Sequence, residues 1–121
     1  MNSKIMCKYL KNNTMISKNS LKLYKNLLSD RIPEMLKLVE RLVNLESGSR
    51  DKAGVNAVCD VLGAELGQLG FDVERRPMAE CGDQLVGLKR LGGQGRLLIL
   101  GHADTVWPKG TIHEWPFAMR D

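Results

Sequence analysis

Leu97-Leu98-Ile99-Leu100-Gly101-His102-Ala103-Asp104-Thr105-Val106 is the stretch on which the reading of the fold turns. Four consecutive apolar residues, introduced by Arg96, have the length and composition of a strand covered on both faces. Such a strand is expected to be the most buried segment of the chain, with Leu98 and Leu100 on one face and Leu97 and Ile99 on the other. It runs into Gly101, where the chain turns to loop. His102 and Asp104 follow at positions i and i+2, which point to the same side of an extended chain. Strand ends that feed loops are where α/β sheets place ligands. A neutral imidazole nitrogen suits zinc, and a nearby carboxylate can orient the ring. Taken alone, a His-x-Asp triplet is a weak pattern, more often a structural hydrogen-bonded pair than a metal site.

The segments before this stretch supply partners for it. Ser29 or Asp30 is positioned to cap a helix whose first turn holds Pro33 and Glu34. Met35, Leu36, Leu38, Val39, Leu42, Val43 and Leu45 then recur at the spacing of an apolar helical face, and Ser47-Gly48-Ser49 ends it. Asp51 opens a second helix with Val55, Val58, Val61, Leu62, Leu66 and Leu69 on its apolar side, and Gly70 is its stop. Phe71–Arg75 and Gln84–Leu91 alternate as half-buried strands, and Gly92-Gly93-Gln94-Gly95 is a turn of hairpin length. The order helix, helix, strand, strand, strand predicts an α/β fold with two helices packed on a mixed sheet. The glycine cluster lacks the GxGxxG spacing of a phosphate cradle.

Charge divides the 121-residue chain unevenly. Residues 1–28 hold six Lys (4, 8, 11, 18, 22, 25), five Asn and no acid; 12 basic and 14 acidic residues remain for 29–121, a net of −2. The overall +4 therefore belongs to a leader, which excludes reading the basic balance as a nucleic-acid-binding face of the fold. Lysines interrupt every apolar run that could serve as a secretory signal, and a mitochondrial presequence would carry Arg. Residues 1–28 are expected to lack a fixed place in the fold; a targeting segment and a short amphipathic helix over Ser20–Leu28 remain open readings. Residues 29–121 form the folded part. No apolar run approaches the roughly 20 residues of a membrane span. Cys7, Cys59 and Cys81 are odd in number and widely spaced, with no CxxC, so reduced thiols in a cytoplasmic protein are expected.

Gly101-His102-Ala103-Asp104-Thr105-Val106-Trp107-Pro108-Lys109-Gly110, followed by Trp115-Pro116-Phe117, resembles the first metal-ligand segment of the M20 family of zinc peptidases, and within it the carboxypeptidase G2-like (glutamate carboxypeptidase) branch. Leu42–Ser49 resembles the family's first helix and its Ser-rich exit, and Leu66–Val73 its second helix entering the first strand. The resemblance spans about residues 31–121. It implies a partial zinc-peptidase catalytic domain in which His102 ligates one Zn2+ and Asp104 is the adjacent carboxylate, the residue usually named catalytic. The family places no ligand at His113. Trp107 and Trp115 fit either packing or the lining of a cleft. The family's bridging Asp, its Glu-Glu pair, a later acidic ligand and a distant His have no counterpart up to Asp121. The chain is therefore expected to be the N-terminal fragment of a hydrolase that cuts an amide bond next to a C-terminal carboxylate, in a small peptide or N-acyl amino acid. It is expected to be inactive alone and to hold zinc weakly. The rival reading is a non-catalytic interaction module that uses its basic leader.

Overall fold

The computed structural model describes residues 17–119. Lys4, Lys8, Lys11, Cys7 and Asp121, all named above, lie outside the described residues. The chain separates into two compact units, Met1–Leu36 and Lys37–Asp121. Helix α1 spans Lys18–Val43. The Ser17 hydroxyl accepts a hydrogen bond from the Ser20 amide at 3.0 Å, the N-cap pattern, so the helix starts at Ser17 and not at the expected Ser29 or Asp30. The reason is periodicity: Leu21, Tyr24 and Leu28 extend the 3-and-4 spacing of Ile32, Met35 and Val39 backwards without a break. Residues 18–28, expected as part of an unstructured leader, are thus helical. Pro33 sits in the helix interior rather than in its first turn, where it leaves the Ser29 carbonyl without its helical donor.

Helix α2 spans Lys52–Gln68 and begins as expected, with the Asp51 carboxylate accepting from the Gly54 amide at 3.0 Å. Its end is a Schellman closure. The Gly70 amide donates to Gly67 and the Phe71 amide to Leu66 (2.9 and 3.0 Å), which requires the positive φ of +77° that Gly70 adopts. Val55, Val58, Cys59 and Val61 on α2 are the buried apolar core of the described residues.

Strands β1 (Asp72–Arg76) and β2 (Gln84–Leu88) pair antiparallel with Glu74 opposite Val86. Helix α2 packs on this hairpin, with Gly63 facing Leu85 and Val73. The connection between the strands is tied to α2 by a polar cluster. The Arg75 guanidinium bonds Asp83 (3.1 Å), the Asn56 carbonyl (2.9 Å) and Asp60; the Asp83 amide donates to the Asn56 side chain at 2.8 Å.

The third strand is a correction. Arg96–Leu100 has no strand pairing, and Leu97, Leu98, Ile99 and Leu100 are 78–86% exposed. A continuous apolar strand is buried only when strands flank it and layers cover both faces. Among the described residues the sheet holds two antiparallel strands, not the expected mixed set, and neither edge receives this segment. A one-turn helix α3, Thr111–Glu114, follows. No helix among the described residues is long and apolar enough to cross a membrane.

Candidate metal and catalytic site

The backbone just after Asp104 is pinned to the connection between α1 and α2. The Thr105 amide donates to the Ser47 carbonyl at 2.7 Å, and the Ser49 amide returns a bond to the Thr105 carbonyl at 3.0 Å, forming a parallel bridge between Gly48 and Thr105. The Ser49 hydroxyl also donates to the Thr105 carbonyl at 3.2 Å. Ser47 is buried at this junction. A second tie lies further on: the Gly110 amide donates to the Glu46 carboxylate, and Lys109 pairs with Asp51 at 3.3 Å. The Asp51 carboxyl is held below the usual carboxylate range by the Gly54 amide first and by Lys109 second.

His102 and Asp104 come together as their i, i+2 spacing requires. His102 Nδ1 lies 2.8 Å from the Asp104 carbonyl oxygen and 3.4 Å from its carboxylate Oδ1. Both partners are acceptors, so Nδ1 is the ring nitrogen that donates, and Nε2 is the one left to meet a metal. The His102 side chain is 82% exposed and that of Asp104 39%. Asp104 ionises below the usual range, first through the neighbouring Ser49 hydroxyl, then through its own backbone amide and His102, against an opposing effect of burial. The pair does not sit at the end of a buried strand; the bridge to Gly48 positions it instead.

This arrangement suits one metal bond. An imidazole with Nδ1–H held by an oxygen acceptor presents Nε2 as a fixed donor, the usual way a second partner sets the tautomer of a metal-binding histidine. Among the described residues no group of three or more His, Cys, Asp or Glu converges on one point. His113 lies on α3, away from this pair in sequence and in a different element.

Trp107 and Trp115 pack edge to face, with ring centroids 5.1 Å apart and planes at 89°. They also line a groove of about 980 Å³ with Leu42, Leu45 and Thr105, so both sequence readings of these rings describe them. Sequence reasoning missed Ser49. Ser47-Gly48-Ser49 reads locally as a helix exit, and its bond to Thr105 joins residues 56 apart, a pairing with no local signature.

No protein-family model matches the chain. Carboxypeptidase G2 of Pseudomonas sp. (strain RS-16) is 41% identical over 93 residues, which are 75% of this chain and 22% of that protein. Succinyl-diaminopimelate desuccinylase of Leptothrix cholodnii is 36% identical over 84 residues, 66% of this chain and 21% of that protein. The chain spans about a fifth of the length of these curated relatives. Together the two similarities support an M20-like peptidase relationship for this chain.

Proposed function

We propose that residues 29–121 are the N-terminal part of a zinc-dependent hydrolase of the glutamate carboxypeptidase type, cutting an amide bond next to a free carboxylate. His102 is its first metal ligand and Asp104 the carboxylate that serves it. The observation that carries this reading is the hydrogen bond from His102 Nδ1 to Asp104, which leaves Nε2 as the donor. One similar protein is named a carboxypeptidase and the other a desuccinylase, and release of a carboxylate-bearing group from an amide is the chemistry these names have in common.

His102 would hold one zinc, which would supply polarisation of the scissile carbonyl and a lowered pKa for a bound water. This chain's residues do the positioning. Asp104 accepts the Nδ1–H hydrogen bond of His102 and fixes the ring, so that Nε2 is the nitrogen offered to a metal. Ser49 fixes the backbone just after Asp104, its amide and hydroxyl both donating to the Thr105 carbonyl. Among the described residues His102 is one ligand and Asp104 its supporting carboxylate, fewer than the three protein ligands of a catalytic zinc, so these residues alone would hold the metal weakly. The free thiols of Cys59 and Cys81 fit a reducing, cytoplasmic setting.

A chimera tests the reading. Residues 31–121 replace the corresponding first portion of carboxypeptidase G2, and hydrolysis of that enzyme's own substrate is assayed with and without added zinc. The expected result is zinc-dependent turnover that His102→Ala abolishes. A folded chimera whose turnover survives His102→Ala removes His102 from the metal site.

A further inference from the structure

The first unit contains a surface that the hydrolase reading does not use. In the part of α1 that belongs to Met1–Leu36, Leu21, Tyr24, Leu28, Ile32 and Met35 follow one another at steps of 3, 4, 4 and 3 and so form one stripe along the helix. Leu27 adjoins it. All six are 49–58% exposed. Lys18, Lys22 and Lys25 recur at steps of 4 and 3 and form a row along one edge of that stripe. The sequence through residue 28 adds Lys4, Lys8 and Lys11 and contains no acid.

We infer that the Lys18–Leu36 portion of α1 lies on an anionic lipid surface, with the Leu21–Met35 stripe in the headgroup boundary and Lys18, Lys22 and Lys25 on the lipid phosphates and carboxylates. Charge complementarity selects this occupant. Asp30 and Glu34, the acids of this portion, fall on the helix face opposite the stripe, so a second copy laid on it would bring a second row of Lys18, Lys22 and Lys25, whereas an anionic leaflet neutralises that row. Helices of this kind combine an apolar face with lysines whose stems extend along the apolar surface toward the headgroups. The helix is not long and apolar enough to cross the bilayer, so it binds in the plane of the surface.

The test is co-sedimentation of the full chain with two vesicle types, pure phosphatidylcholine and phosphatidylcholine containing phosphatidylserine. Binding is expected only with phosphatidylserine and is expected to fall as salt rises. Each surface lysine contributes about a fivefold factor in partitioning, so Lys18→Gln/Lys22→Gln/Lys25→Gln weakens binding by roughly 100-fold. Glutamine keeps helix propensity, and the far-UV ellipticity of the free variant confirms that α1 is intact. Leu28→Asp, which leaves every lysine in place, also abolishes binding. Equal binding to both vesicle types, binding untouched by the lysine variant, or self-association without vesicle binding overturns the inference.

Discussion

Replacing Gly54 by alanine tests how tightly the connection that holds Thr105 is built. Gly54 lies in the first turn of α2, and a Cβ there overlaps the Glu46 carbonyl oxygen, with the Glu46 carbon at 3.0 Å and Ser47 Cα at 3.2 Å. All three are backbone atoms, so no side chain can swing aside. Alanine would gain about 0.8–1 kcal/mol of helix propensity over glycine. Overpacking against a fixed backbone costs about 1–3 kcal/mol or more. Because the clash is with backbone, the cost sits at the upper end of that range, and the balance is a net loss of about 2 kcal/mol, a fall in Tm of roughly 8–16 °C for a domain of this size. Gly67→Ala is the internal control. It sits on the same helix with nothing within 4 Å of its new Cβ, and stabilises by about 0.5–1 kcal/mol. Thermal unfolding followed by circular dichroism compares the two. Equal stability changes in both variants would mean that the Glu46–Ser47 backbone does not approach α2 and that the clamp on Thr105 is misplaced.

Three further outcomes are expected. The Asp83 carboxyl is held below its usual range, by the Met78 amide first and by Lys52 and Arg75 beside it, against the opposing effect of burial. Its contribution to stability is therefore present above the ordinary carboxylate pKa of about 3.9 and is lost as pH falls through the lower folded value. Urea midpoints at pH 7 and pH 3 should differ more in the wild type than in Asp83→Asn; an equal drop in both argues against the cluster. Leu98→Asp should change stability by no more than about 0.5 kcal/mol because the side chain is exposed, whereas Val58→Ala in the core of α2 costs about 2 kcal/mol; urea denaturation yielding the reverse order would restore Arg96–Leu100 as a buried strand. His102→Ala should leave the unfolding midpoint of the zinc-free chain within about 0.5 kcal/mol, since the ring is 82% exposed, and a larger loss in the same assay would make it a structural residue.

What the sequence made legible was local. Asp51 as a cap, Gly70 as a stop and the apolar face of Val55, Val58 and Val61 are written in neighbouring residues, and the structure holds all of them. The i, i+2 convergence of His102 and Asp104 needed only extended backbone. The errors came where the answer depends on distant chain. Ser29 or Asp30 made a reasonable cap, but the uninterrupted apolar spacing from Leu21 carried α1 through both and through Pro33. Leu97–Leu100 has the composition of a central strand, yet burial is conferred by neighbours, and β1 and β2 pair with each other without it. Ser49 was invisible as a site residue for the same reason, because its partner Thr105 is 56 positions away.

A zinc titration followed by long-range proton–nitrogen NMR of the two histidine rings tests the central claim most directly. The nitrogen shifts report which ring nitrogen carries the proton and which one meets the metal. The account predicts that His102 has its proton on Nδ1 before zinc is added, that zinc then moves the Nε2 resonance of His102 in fast exchange at weak affinity, and that His113 stays where it is. Zinc that moves His113 first, or a His102 ring protonated on Nε2 and unmoved by the metal, would contradict it.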